Sequence, residues 1–497
     1  MRGRPLAVGA LGAVGAVIAG VAALAGAETR PRYGNEIEAS LLGAPIVLDP
    51  IAAQSHAEIT VVGQVFDTLY AIGLDGVVQP HLAIGLPVVD PVRGIAHIAL
   101  RRGVVFHDGS PLTAADVAAS LERVRSKVGW VLAPLGAIRP GGDGIDAVLH
   151  VPGTDVATLL ALPQTAITPG GLAPTWARPI GSGPFAVASF NGANRELVLK
   201  AFDDHFAGRP YVDRLVLRWY DTPDGEARRF ETGLAQLSAR GAAVFAGAKP
   251  KHPASQVESP SALLLFVGFG RRTPGVTGDL AFRQALDLAL DRGALSTITT
   301  GERTQATRLP LPIEAGAPRL DPAASVGDPV RALALLDAGG ARNPALSANN
   351  RRLVRLTIII DDTRPDDREI ALRVSRGLDK LGIGSSIEVV PAERMRTRVR
   401  VGDCDLWIGQ LAEPLGVATA WWGAAFAAGN DDWARAQLAA GPLDGAAAAA
   451  ELARKLPIVP LMFRSLLIWH RSDVRGLGFD ASGRPGLADL YWVKGKS

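Results

Sequence analysis

The chain has 497 residues, 48% of them hydrophobic and 20% charged, a globular composition with enough apolar material for large cores and two or more lobes. Its formal net charge of +3 comes without a basic run long enough to track phosphates, which excludes nucleic acid as a partner. A single cysteine, Cys404, excludes any intramolecular disulfide.

Residues 1–27 combine Arg2 and Arg4, an uncharged run from Leu6, and Ala25-Gly26-Ala27. A basic start, an apolar middle and a small-residue cleavage site make an export signal, with the mature chain beginning at Glu28. The run is also about long enough to remain as an uncleaved membrane anchor. No cysteine follows it, so lipid attachment is excluded and a soluble periplasmic protein is expected.

Residues 36–50 read as strand, loop and turn, and 58–70 as an amphipathic helix with Ile59, Val62, Phe66 and Leu69 on one face. Segments 80–86 and 95–100 lead into a denser signal. Val104, Val105 and Phe106 predict a buried strand, Asp108-Gly109 a turn, and Thr113 with Asp116 a capping box. Val117, Leu121 and Val124 then mark one buried helix face. His107 has no second histidine or carboxylate at metal-ligand spacing, so it reads as scaffold. Residues 128–179 are loop-rich. Gly181-Ser182-Gly183-Pro184-Phe185 enters a strand, Asn191-Gly192 turns it, and 196–201 returns. No Walker lysine follows those glycines, which excludes a phosphate loop.

Further on, 263–267 is an apolar strand and 279–298 a helix burying Phe282, Leu286, Ala289 and Leu290. Asp328, Pro329 and Gly340 punctuate another helix. Strand 353–360, helix 366–381 and strand 386–390 predict a parallel pair with a right-handed crossover. Strands at 405–410 and within 457–469 complete the chain. Nucleophile-elbow, zinc-hydrolase and P-loop motifs are missing, so an enzyme is not expected, nor any catalytic residue, metal ligand or cofactor.

Phe106-His107-Asp108-Gly109, Pro111 and Thr113-Ala114-Ala115-Asp116-Val117, in that order and spacing, resemble the signature of the bacterial extracellular solute-binding proteins of family 5. These are the oligopeptide, dipeptide and nickel-binding components of ABC importers. Leu48-Asp49-Pro50, Val65-Phe66-Asp67-Thr68-Leu69, Phe206-Ala207-Gly208-Arg209-Pro210, the 282–292 helix and Ile458-Val459-Pro460-Leu461 extend the resemblance along the chain.

The resemblance implies an α/β, two-lobed periplasmic-binding-protein fold with an extra subdomain in the first lobe. Residues 28–258 and 470–497 would form that lobe and 259–469 the second, joined by two crossovers, with a stretch between 414 and 457 shorter than is usual for the family. Function would be capture of a peptide or peptide-like solute by hinge closure and delivery to ABC permease subunits with their ATPases, by a monomer that meets the membrane through the permease or an uncleaved N-terminal segment. Nickel or another non-peptide solute, or a membrane-anchored sensor or interaction role on the same fold, are the alternatives.

Peptide binders of the family carry a G-W-x-x-D segment whose Asp pairs with the peptide α-amine. Here the segment reads Gly409-Gln410-Leu411-Ala412-Glu413-Pro414, with Gln410 for Trp and Glu413 for Asp. The resemblance therefore implies that Glu413 faces the solute, flanked by Gln410, Leu411 and Ala412. Trp407, Trp421 and Trp422 are candidate apolar walls.

Overall fold

Two open sheets carry most of the chain in the computed structural model, which describes residues 31, 33–240, 249–295, 297–298, 303–364 and 366–493. The export segment 1–27 lies outside the described residues. The first sheet is seven-stranded, in the order Ala254–Glu258, Leu467–Arg471, Leu237–Ser238, Glu36–Ser40, Arg214–Arg218, Glu196–Ala201, Phe185–Asn191. Ile37, Leu197, Leu199, Leu215 and Leu217, all fully buried, line one face and pack on the helix His56–Val65.

The second sheet is six-stranded, in the order Thr304–Ala306, Ile458–Arg464, Leu263–Phe269, Leu406–Leu411, Arg355–Asp361, Gly384–Val390. Its central strands are buried along nearly their whole length, so they read as apolar runs without alternation. Arg355–Asp361 and Gly384–Val390 do pair in parallel, with Asp366–Lys380 as the crossover helix. A four-stranded sheet, Val88–Asp90, Ile95–Ala99, Gly144–Leu149 and Leu135–Gly141 in that order, forms a separate layer under the helix Ala114–Lys127.

The chain leaves the first sheet after Glu258 and returns to it between Arg464 and Leu467. These two passages lie side by side. Ser259 N–H donates to Leu466 O at 2.8 Å, and Leu466 N–H donates to Ser259 Oγ at 2.7 Å.

Several expected elements are redrawn by tertiary bonds. The 58–70 helix begins at His56 behind a Ser55–Glu58 capping box and ends at Val65. Phe66 is extended because Val65 O is taken by Gly183 N–H and Asp67 O by Ile167 N–H, although Phe66 and Leu69 remain buried. Val104 to Phe106 is no strand but one side of a tight turn with a single bridge, Val105 to Pro111. His107 leaves that turn to clamp the glycine segment: its N–H meets Gly181 O at 2.8 Å and its Nε2 lies 2.9 Å from Gly183 O.

Residues 128–179 are less irregular than their composition, since Gly142-Asp143 turns a hairpin between two strands of the small sheet. The 279–298 helix breaks after Ala289, where Leu290 is extended and Arg292 starts a separate turn. Arg292 is fully buried and donates to Asp287 O, Thr307 O and Pro460 O, which sets the chain direction there. Between 414 and 457 lie three helices, Ala418–Ala428, Trp433–Ala440 and Gly445–Lys455.

Candidate functional site

The parallel strands Arg355–Asp361 and Leu406–Leu411 pair only at Ile358 with Leu406 and Ile359 with Trp407. Beyond that point they diverge, and a crevice opens at their carboxyl ends, the place where open α/β sheets bind ligands. A cavity of about 300 Å³ occupies it. Asp361, Arg364, Trp407, Gly409 and Gln410 line one side, and Ala44, Ile46 and Glu58 of the first-sheet side face them. From Ile408 onward the strand keeps its antiparallel neighbour, Leu263–Phe269, but among the described residues has no strand on its other edge. There Arg364 Nη2 donates to Ile408 O at 3.1 Å.

Charge is arranged around this crevice by named partners. Glu58, the capping carboxylate of the first helix, accepts from the backbone of Val47, Gln54 and Ser55 at 3.2, 2.9 and 3.1 Å. It also pairs with Arg396 Nη1 at 3.0 Å, and Arg396 Nη2 donates to Ala52 O. Arg396 stands on the helix Ala392–Val401, so this ion pair ties the second-sheet side to the first. A second tie runs from Ala44 N–H to Thr363 Oγ1 at 3.0 Å. The Asp49 turn is braced by the two terminal nitrogens of Arg123, at 2.8 and 2.9 Å. Arg400 lines the cavity as an exposed cation with no ion pair among the described residues.

The sequence candidates separate in space. Trp407 and Gln410 line the cavity, Trp407 half-buried and set edge-on to Phe266 at 5.0 Å. Leu411 and Ala412 are core residues. Trp421 and Trp422 are 0% and 1% exposed, and Trp421 Nε1 donates to Pro414 O at 3.1 Å. Glu413 is 3% exposed and outside the cavity lining, and its Oε1 accepts from Gln164 Nε2 at 2.9 Å. Burial pushes its carboxyl up to about 8, against the pull of the Gln164 bond.

Sequence reasoning passed over Glu58, Arg396, Arg400 and Gln164. The S-x-x-E pattern at Ser55 was a readable sign for Glu58 as a cap, but nothing local announces an arginine 338 residues away as its partner. Among the described residues no group of three or more His, Cys, Asp or Glu is arranged to hold a metal ion, and no helix is long and apolar enough to cross a membrane.

A larger cavity, about 500 Å³, lies on the first-sheet side around Asp67. Asp67 accepts from Ser182 Oγ at 2.8 Å and faces His81 at 2.9 Å and His205 at 3.7 Å. Burial works against its ionised form, but the facing rings of His205 and His81 win and hold it well below the usual carboxylate range.

Comparison with known proteins bears on this crevice. The profile of the bacterial extracellular solute-binding proteins, family 5 (middle region), matches residues 77–430. The glutathione-binding protein GsiB of Salmonella choleraesuis is 28% identical over 312 residues, covering 59% of this chain and 59% of GsiB. Across the curated relatives the coverage is partial, falling to 29% of the length of the Bacillus subtilis protein YhjP. Among solved structures, the oligopeptide-binding protein AppA of Bacillus subtilis with a nonapeptide superposes with a TM-score of 0.75 at 17% identity, over 94% of this chain and 100% of AppA. NikA of Staphylococcus aureus with Ni(L-His)2 superposes with a TM-score of 0.73 at 17% identity, over 93% of this chain and 100% of NikA. At that identity the likeness establishes the two-lobed α/β fold.

Proposed function

The chain belongs to family 5 of the bacterial extracellular solute-binding proteins, and from that premise we propose that it captures a small peptide or peptide-like solute outside the cytoplasm and delivers it to the permease of an ABC importer. The chain up to Glu258 and from Leu467 onward makes one lobe and the stretch between them the other, with the return to the first lobe a few residues before the 470 expected from the sequence, and the solute binds where the lobes meet. The observation that carries the reading is the strand edge at Gly409 and Gln410, which lines the cavity and has no neighbour strand on that side among the described residues. Such an edge offers backbone donors and acceptors to an extended chain, while side-chain pockets supply selectivity.

At about 300 Å³ the cavity is at the low end of small-molecule sites, which favours a short solute. Arg400 gives an anionic end of that solute a partner. The role is capture without chemistry, by a monomer exported through the 1–27 segment and released by cleavage before Glu28. Native mass spectrometry of protein purified without added ligand tests this directly. A retained peptide-like solute, whose removal enlarges the radius of gyration in small-angle scattering, is the expected result. Protein that carries nothing and keeps one shape with every peptide extract offered would overturn it.

A further inference from the structure

Gln164 and Glu413, 249 positions apart, meet in the interior outside the lining of the cavity of about 300 Å³. Gln164 sits on the Pro163–Thr165 turn beyond the four-stranded sheet, and Glu413 follows the last residues of the Leu406–Leu411 strand. One hydrogen bond joins them, from Gln164 Nε2 to Glu413 Oε1 at 2.9 Å. The two remaining atoms, Glu413 Oε2 and Gln164 Oε1, are both buried and both lack a hydrogen-bond partner among the described residues. While Glu413 is ionised these are two acceptors, and neither can satisfy the other. A proton on Oε2 turns the leftover acceptor into a donor, the kind of group that Gln164 Oε1 lacks.

The surroundings give an ionised Glu413 nothing to hold. The Pro163–Thr165 turn, the Leu406–Leu411 strand and the helix Ala418–Ala428 contain no ionisable side chain. Burial and Gln164 are the influences on this carboxyl, and no charged group is among them. A carboxylate taken out of water without a cation is costly, whereas a neutral acid paired with an amide is not.

We propose that Glu413 is a neutral carboxylic acid in a reciprocal acid–amide pair with Gln164, a pH-dependent fastening between the Pro163–Thr165 turn and the end of the Leu406–Leu411 strand.

Glu413→Gln is the informative variant, because an amide at this position keeps both hydrogen bonds at every pH. The native acid stays protonated up to about 8, while in the unfolded chain it ionises near 4.5. Between those values the native state holds a proton that the unfolded state has lost, so stability falls as pH rises and levels off above about 8. The melting temperature of the wild type should match that of E413Q at or below pH 4.5 and drop progressively beneath it toward pH 8. A gap that stays constant over this range overturns the pair. Carbon-13 NMR titration of Glu413 in the unmodified protein decides the same point, with a midpoint near 8 expected and one below 4.5 contrary.

Discussion

Arg396 shows what one side chain contributes to the crevice. Its guanidinium spans from the helix Ala392–Val401 to Glu58 and to Ala52 O on the opposite wall. Glu58 is 3% exposed at its side chain and Arg396 32%, so water screens the pair only from one side. Arg396→Ala leaves Glu58 its three backbone N–H donors, so the carboxylate stays satisfied and the fold is spared. What is lost is closure. The expected cost is about 1–2 kcal/mol of bias toward the closed form, discounted from a fully buried pair for its exposure. Solute affinity should weaken about tenfold or slightly more, with little change in melting temperature of the solute-free protein. Scattering and calorimetry on R396A check both, and a large loss of thermal stability with unchanged affinity would make Arg396 a folding residue instead.

At the scale of elements, the helix Ala114–Lys127 is held at its start by a reciprocal cap. Asp116 N–H donates to Thr113 Oγ1 at 3.3 Å, and Thr113 N–H donates back to Asp116 Oδ2 at 2.9 Å. Thr113→Ala removes the acceptor for one end and should cost roughly 1 kcal/mol. Solute affinity should not change, since Thr113 is outside the cavity lining. Loss of binding at an unchanged melting temperature would contradict this.

This helix was legible because cap, dipole charge and apolar stripe agree within a short stretch of chain. The parallel pair around Asp366–Lys380 was legible for the same reason, with Ile370, Val374 and Leu378 spaced to one face. Ala418–Ala428 was not, because it is Ala-rich and buried on nearly every side, which leaves no periodic stripe to read. Val104 and Phe106 were read as strand because they are buried and β-favouring, yet their backbone bonds go to a local turn. Within the site, Trp407 and Gln410 could be placed from the strand they occupy. Gln164 could not be matched to Glu413, because that contact joins residues 249 positions apart.

For the whole molecule, the region where the second sheet hands the chain back to the first is also where buried charge gathers. Asp367, at the start of the crossover helix, is 1% exposed. Its carboxyl is pushed up to about 7 by burial, with Asp361 and Asp366 adding to the shift and Arg364, at 2.9 Å, and Arg464 opposing it. A raised carboxyl works against stability as pH rises. The native state retains this proton up to about 7 while the unfolded chain releases it near 3.8, so the contribution is complete below 3.8 and is lost as pH climbs through 7. His56 acts in the opposite direction. It is buried, with its Nε2 3.2 Å from Gly483 O, and burial lowers its pKa, so its contribution holds above 6.5 and is lost as pH falls below that. Asp367→Asn removes only the first of these effects. Relative to the wild type, D367N should gain stability steadily from pH 4 toward pH 7, by something on the order of 2–4 kcal/mol at the upper end, and the gain should then level off. Urea unfolding of both proteins at a series of pH values reads the difference. A D367N protein that is less stable than the wild type at pH 7 would show that the ionised Asp367–Arg364 pair outweighs burial, and that the charges beside the crossover favour a closed, salt-bridged junction at neutral pH.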